Sequence, residues 1–260
     1  MGSTLDTTGW RVLVTGGGSG IGLRTVQLLA EGGAWVTALD IDEAGLERAR
    51  GLGDRVQALR VDVRSRESVA SAVAAAASAM GGLDRVVNSA GIFRFSPFLD
   101  IRPTDWSTML DINLTGTFHV CQEALPHLIA AGGGRIVNVA SVAGVRAGPN
   151  AAHYIASKWG MVGLTRALAL EFGPQGVIVN AVAPATIPET GIGQSSLQQK
   201  IEMGWGADVE ETIANQALNY PLRRLGTADD VARGIRYLLS DDAAWMTGQV
   251  LSMDGGATAS

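Results

Sequence analysis

Short, nearly continuous apolar runs alternate along the chain with longer segments whose apolar positions recur every three or four residues. The first pattern reads as buried strand and the second as amphipathic helix. Strands are predicted at Arg11–Thr15 (RVLVT), Trp35–Asp40 (WVTALD), Arg55–Val63, Asp84–Asn88, Gly134–Ala140 (GRIVNVA), Val177–Val182 and Gln249–Met253. Helices are predicted at Gly20–Glu31, Asp42–Leu52, Glu67–Met80, Thr104–Ala131, Ala151–Phe172 and Ala228–Ser240. Asp42 and Glu43 suit the positive end of their helix, and Gly173-Pro174 stops the Ala151–Phe172 helix.

Strands that are apolar throughout are buried on both faces, which a parallel sheet with helices above and below provides. The expected fold class is therefore α/β: a doubly wound, seven-stranded parallel sheet in a three-layer αβα (Rossmann) arrangement with right-handed crossovers. No linker or internal repeat divides residues 1–260, which read as one domain. Residues 186–220 stand apart, with Gly191, Gly193, Gly204 and Gly206 among Gln and Ser. A connection this long inside a compact domain is expected to be a functional cover, here a substrate lid.

Composition narrows the class further. Glycine makes up 34 of 260 residues with no collagen-like period, so the surplus belongs at turns and close backbone approaches. A net charge of −5 opposes binding to nucleic acid through phosphates. No apolar run reaches the roughly 18 residues of a membrane span, and the polar start Met1–Thr8 lacks the pattern of a signal peptide. Cys121 is the single cysteine, so no internal disulfide is available, and no Cys/His cluster suggests a metal. A cytoplasmic enzyme is expected.

Directly after the first strand comes Thr15-Gly16-Gly17-Gly18-Ser19-Gly20-Ile21-Gly22, followed by a helix. Backbone bare of side chains at a helix N-terminus suits a pyrophosphate. The spacing is G-x-x-x-G-x-G, and no lysine follows to make an ATP-type loop. Asp40 ends the second strand, where a carboxylate accepts from both ribose hydroxyls and repels a 2′-phosphate. Ile41 beside it is apolar where a phosphate would want a cation. NAD is expected over NADP.

Tyr154 and Lys158 stand four apart in a predicted helix and so share a face. A free phenol titrates near 10, and an ammonium about 4 Å away would favour the phenolate. Ser141 follows a predicted strand, at the sheet end where α/β sites gather. Asn113 falls inside a predicted helix, where its amide could hold a water near Lys158.

With these residues in view, the sequence resembles the short-chain dehydrogenase/reductase family over about Trp10 to Gly256. The matching segments are TGGGSGIG (15–22), DV (62–63), NSAG (88–91), DINLTG around Asn113, VASVAG around Ser141, YIASK (154–158), NAVAP (180–184), RLGTADDVA (224–232) and MDGG (253–256). The resemblance implies that Tyr154 is the acid/base, that Lys158 lowers its pKa and binds ribose, that Ser141 polarises the substrate oxygen, and that Asn113 anchors a water. It also implies cofactor contacts at Gly16, Gly18, Ser19, Gly20, Ile21, Gly22, Asp40, Ile41, Asp62, Val63, Asn88, Ala90, Gly91, Tyr154, Lys158, Pro184 and Ile187. Three positions depart from the family pattern: Ser89 replaces an Asn, Ala185 replaces a Gly, and Glu189 replaces a Thr, with Thr190 beside it. His153 reads as a helix-start residue.

By analogy the substrate meets Ser141, Tyr154, Phe93 and Val142, with Ile92, Phe95, Val145, Pro149, Met203 and Trp205 nearby. No Arg/Lys cluster marks an anionic substrate, although Arg94 and Arg146 are close. The expected activity is NAD-dependent interconversion of a hydrophobic cyclic, terpenoid, steroidal or aryl secondary alcohol with its ketone. Alternatives are an NADPH-dependent 3-oxoacyl reductase and a non-catalytic dinucleotide-binding regulator. The resemblance further implies a homotetramer, packed through the Thr104–Ala131 and Ala151–Phe172 helices and the Met246–Gly256 region.

Overall fold

The computed structural model describes residues 6–259; Met1–Leu5, which make up most of the polar start, and Ser260 lie outside it. Seven parallel strands form one sheet: β1 (Arg11–Thr15), β2 (Trp35–Asp40), β3 (Val56–Arg60), β4 (Arg85–Asn88), β5 (Gly134–Val139), β6 (Val177–Pro184) and β7 (Val250–Met253). Their order across the sheet is β3-β2-β1-β4-β5-β6-β7. The chain winds outward from β1 in one direction and then from β4 in the other. The crevice at that reversal, beyond the strands' C-terminal ends, is where such sheets hold ligands.

The period-two alternation of each strand supplies both layers of the core. Val12 and Val14 of β1 turn toward one face, with Leu29 and Val26 of α1 (Gly20–Glu31) and Ile235 and Leu238 of α9 (Ala228–Leu239). Leu13 turns to the other, with Val69 and Val73 of α3 (Arg66–Met80) and Val120 and Leu128 of α5 (Gly116–Ala130). The α2 helix (Glu43–Arg50) begins at Asp42, whose carboxylate accepts from the Gly45 amide at 3.0 Å.

Three expected boundaries move for local reasons. The third strand stops at Arg60 because the chain turns at Asp62, whose carbonyl accepts from Ser65 N at 3.0 Å. The sixth runs on to Pro184, which needs no donor at the strand's end and sits in register with Met253. The predicted Thr104–Ala131 helix is interrupted: α4 (Pro103–Leu110) passes through a π-turn at Asp111–Thr115 before α5. Single π-turns inside helices are frequent at functional sites, and this one carries Asn113.

The lid segment is mostly helical. Thr190 caps α7 (Gly191–Glu202) by accepting from Gly193 N at 2.9 Å, and Asp208 caps α8 (Val209–Ala217) by accepting from Glu211 N at 2.8 Å. The long helix α6 (Ala152–Phe172) packs beside β6, and its Lys158 and Thr165 bond to Val139 and Asn138 of β5. No helix among the described residues is long and apolar enough to cross a membrane.

Candidate active site

A cavity of about 860 Å³ opens at the C-terminal edge of the sheet and is lined from the β1 turn across to α7. At one end lies the glycine-rich loop. Gly16 has φ +65, and a Cβ there would lie 2.9 Å from the Ala90 backbone, so the loop can lie this close to β4 only without a side chain. Gly22 packs directly against the Gly16 carbonyl. Thr15 Oγ1 accepts from the Ser89 and Ala90 amides, each at 3.1 Å, and ties the ends of β1 and β4 together. Ser19 begins α1 with extended backbone, but its side chain caps no amide. The first amides of α1 therefore remain as donors with a positive dipole behind them, which is the chemistry a pyrophosphate needs.

Asp40 ends β2 at the same loop. Its Oδ2 accepts from Gly18 N at 2.9 Å, and its Oδ1 from Ile41 N at 2.8 Å and Asp42 N at 3.1 Å. The carboxylate is thereby fixed at the cavity wall, with Ile41 half exposed next to it. Asp62, further along the wall, is gripped by the Arg64 guanidinium, which holds its carboxyl below the usual range. These residues suit the adenosine half of a dinucleotide: a ribose-facing carboxylate, and Val61 and Val63 for an adenine face.

The opposite end of the cavity holds Ser141, Tyr154 and Lys158. Ser141 is placed by the end of β5, and its hydroxyl accepts from Ala143 N at 3.1 Å. Tyr154 is buried, with its ring edge-on to Phe93 at 4.8 Å between centroids. Lys158, one turn along α6, donates to the Val139 carbonyl at 2.8 Å and lies 5.8 Å from the Tyr154 ring centroid. Both groups of the pair are shifted by their surroundings. Burial pushes the Tyr154 phenol up, with the Ser141 hydroxyl pulling it down. Lys158 is itself lowered to about 8 by burial.

The cavity does not reach every residue expected to line it. Gly18 lies beneath the loop, its amide engaged by Asp40, and Gly22 lies under the Gly16 carbonyl. The Asn88 amide turns into the core, where it donates to Asn138 Oδ1 at 2.9 Å and to the buried Cys121 sulfur at 3.3 Å. The Asn113 side chain is buried and spent on protein: its Oδ1 accepts from Ile92 N at 2.8 Å, and its Nδ2 donates to Ile92 O at 3.0 Å and to Ser157 Oγ at 3.1 Å. Its place beside the site is nonetheless close. A methyl group on Gly91 would lie 3.2 Å from Asn113 Oδ1 and 3.7 Å from Lys158 Nζ.

Gly16, Ser19, Gly20, Ile21, Asp40, Ile41, Asp62, Val63, Ala90, Gly91, Pro184 and Ile187 do line the cavity, as do Phe93 and Val142. Of the two candidates after Pro184, Thr190 lines it and packs over Gly20, whereas Glu189 turns away to the α9 amide of Ala228. Met203 and Trp205 are exposed, outside the lining. His153 is buried, and its ring nitrogens have no partner among the described residues. The sequence reading missed Lys200, a buried cation that lines the cavity from α7. Its signal was available as the third member of the stripe Ile192, Ser196, Lys200 on one helix face.

A doubly wound sheet with a phosphate cradle and a Ser–Tyr–Lys group at one crevice defines a Rossmann-fold oxidoreductase. The family model described as enoyl-(acyl carrier protein) reductase matches residues 16–258, and the chain belongs to the short-chain dehydrogenase/reductase family. It is 36% identical over 253 residues to 2-(S)-hydroxypropyl-CoM dehydrogenase 3 of Xanthobacter autotrophicus, covering 95% of this chain and 96% of the relative. It is 39% identical over 251 residues to cis-4-hydroxycyclohexanecarboxylate dehydrogenase of Sinomonas cyclohexanicum, covering 95% and 96%. The structure of an NAD+-bound xylitol dehydrogenase superposes with a TM-score of 0.91 at 32% identity, covering 97% of this chain and 100% of that one.

Proposed function

We propose that this protein is an NAD-dependent dehydrogenase that interconverts a hydrophobic, ring-bearing secondary alcohol and its ketone. The observation that carries the reading is the joining, in one cavity, of a loop suited to pyrophosphate, a fixed Asp40 carboxylate and the Ser141–Tyr154 hydroxyl pair. The nicotinamide, when bound, supplies the acceptor or donor of hydride. Gly16, Ser19, Gly20 and Ile21 would hold its pyrophosphate, Asp40 the adenosine ribose, and Pro184, Ile187 and Thr190 the nicotinamide end.

The chain's own residues then handle the proton. In the oxidative direction the Tyr154 oxygen takes the proton of the substrate hydroxyl, and Ser141 donates to the same substrate oxygen as it becomes a carbonyl. In reduction Tyr154 returns a proton. Lys158, fixed on the Val139 carbonyl, has further donors for a ribose hydroxyl and for a water beside the π-turn of Asn113. Phe93, Phe95 and Val142 exclude bulk water from this end.

Asp40 and Ile41 support NAD as the partner: a fixed carboxylate beside an apolar side chain offers nothing to a 2′-phosphate. The xylitol dehydrogenase that superposes on this chain was solved with NAD+. Exposed Phe118, Trp159 and Leu170 on α5 and α6 support assembly with further copies, and a single, buried and unbridged Cys121 supports a cytoplasmic setting. The test is an initial-rate comparison of cyclohexanol-type alcohols with NAD and with NADP. NADH formation with NAD at the higher kcat/KM supports the reading. Preference for NADP overturns the cofactor assignment, and no turnover of any secondary alcohol overturns the activity.

A further inference from the structure

Lys200 has no role in the chemistry described above, yet it is buried at the cavity wall and makes no ion pair among the described residues. Its ammonium donates to Gln216 Oε1 at 3.0 Å, and Gln216 in turn donates to Thr186 Oγ1 at 2.7 Å. The Trp205 ring lies 5.7 Å away. All of these neighbours are neutral. An ammonium has three N–H donors, and two of Lys200's have no partner among the described residues. A buried charge without a counter-ion is costly, and burial alone lowers this lysine to about 8. Ser196 sits one turn earlier on α7 and also lines the cavity, so hydroxyl and ammonium present one face.

The position of Lys200 separates it from the pyrophosphate end. Thr190, at the N-terminus of α7, packs over Gly20 of the glycine-rich loop. Ten residues of helix carry the chain about 15 Å from there to Lys200. The neighbouring Gln199 accepts from Phe95 N at 2.7 Å. Phe95 stacks edge-on against Phe93 at 4.7 Å, and Phe93 against Tyr154 at 4.8 Å. The contacts Tyr154–Phe93–Phe95–Gln199 thus link the hydroxyl end of the cavity to the helix that bears the unpaired ammonium.

We infer that Lys200 and Ser196 form an anion subsite for a carboxylate on the substrate, held across an apolar ring from the carbon that is oxidised. The substrate class is then an alicyclic or aryl hydroxy acid rather than a neutral alcohol, which revises the sequence expectation that no Arg/Lys cluster marks an anionic substrate. The inference rests on the proposed dehydrogenase reading for the identity of the reacting carbon, but the subsite itself is open to binding measurements alone.

Calorimetric titration of the NADH-loaded protein with cyclohexanecarboxylate and with the neutral cyclohexanecarboxamide tests it. The acid is expected to bind at least about ten-fold tighter, a difference of ~1.4 kcal/mol. That preference is expected to vanish in Lys200→Met, to persist in Lys200→Arg, and to leave NADH affinity unchanged. Equal binding of acid and amide by the unaltered protein overturns the subsite, whatever the fate of the variants. So does a Lys200→Met protein that keeps the preference, or one that loses NADH affinity instead, which would assign the ammonium to the dinucleotide. Acid binding that persists in a protein unable to oxidise any ring alcohol leaves the subsite standing and removes the dehydrogenase reading.

Discussion

Lys158 Nζ donates to the carbonyl of Val139 at 2.8 Å. This bond joins the second turn of α6 to the last residue of β5, two positions before Ser141. It fixes the relative placement of the serine and tyrosine hydroxyls, which come from different elements. It also means that Lys158 is buried as a cation among neutral groups, and its effects on stability follow from that.

Lys158 titrates near 8 in the folded protein against 10.5 in its unperturbed state. Below about 8 both folded and unfolded chains carry the proton, and the fold bears the whole cost of burying it. Between about 8 and 10.5 the unfolded chain binds more protons, so this lysine's contribution to stability rises with pH. Lys158→Met is therefore expected to melt above the unaltered protein at pH 7, with the gap closing toward pH 10. Paired melting curves across that range check it, and a gap that does not change with pH contradicts the buried-cation account. The same variant is expected to lose turnover.

Tyr154→Phe keeps the ring that packs on Phe93 and removes the oxygen proposed to exchange a proton. Turnover is expected to fall by about 10²- to 10⁴-fold, the usual worth of a positioned acid/base group. Affinity for NADH, read by fluorescence titration, should stay the same. A variant that retains full rate would reassign the acid/base role.

Gly91 separates Lys158 from Asn113 at the end of β4. The methyl of Gly91→Ala would press on Asn113 Oδ1 at 3.2 Å and approach Lys158 Nζ at 3.7 Å. Displacement of these groups by a fraction of an ångström is expected to reduce kcat by about 10-fold or more, with little change in melting temperature. Steady-state kinetics and calorimetry separate the two effects, and an unchanged kcat would show that the Lys158 position tolerates the shift.

Asp40→Ser combined with Ile41→Arg removes the fixed carboxylate and adds a cation where a 2′-phosphate would lie. The kcat/KM for NADP is expected to rise by at least about ten-fold, ~1.4 kcal/mol, and that for NAD to fall. Because Asp40 also accepts from the Gly18 amide, some loss of affinity for both cofactors is expected too. Initial rates with each cofactor measure the ratio, and a ratio unmoved by the exchange would mean that Asp40 does not choose between them.

The elements of this protein lie near the surface of its sequence because each strand is apolar throughout and each helix is periodic. The bounds of β1, β2 and α1 coincide with the apolar runs that predict them. Where the reading slipped, a tertiary contact overrode local pattern. The helix predicted over Thr104–Ala131 is interrupted by the π-turn at Asp111–Thr115, whose single extra residue leaves no break such as Gly or Pro in the sequence there. Asn88 and Asn113 carry the family motif, but the direction of an amide depends on which partners the fold brings up: Asn138 and Cys121 for one, Ile92 and Ser157 for the other.

By itself the sequence determines the alternation of strand and helix, the glycine-rich turn at the first crossover, the four-residue spacing of Tyr154 and Lys158, and the carboxylate that ends the second strand. These are local, since a turn without side chains and two residues on one helix face depend on a few neighbouring positions. The tertiary structure decides what no short segment encodes. It brings Val139 to Lys158, so that the ammonium is held by a carbonyl as well as lying beside the phenol. It lays α7 along the cavity, turning Lys200 inward with only neutral neighbours. Whether a lysine is a solvated surface charge or a buried cation awaiting an anion depends on what the rest of the chain packs around it. That is set by contacts between residues far apart in sequence.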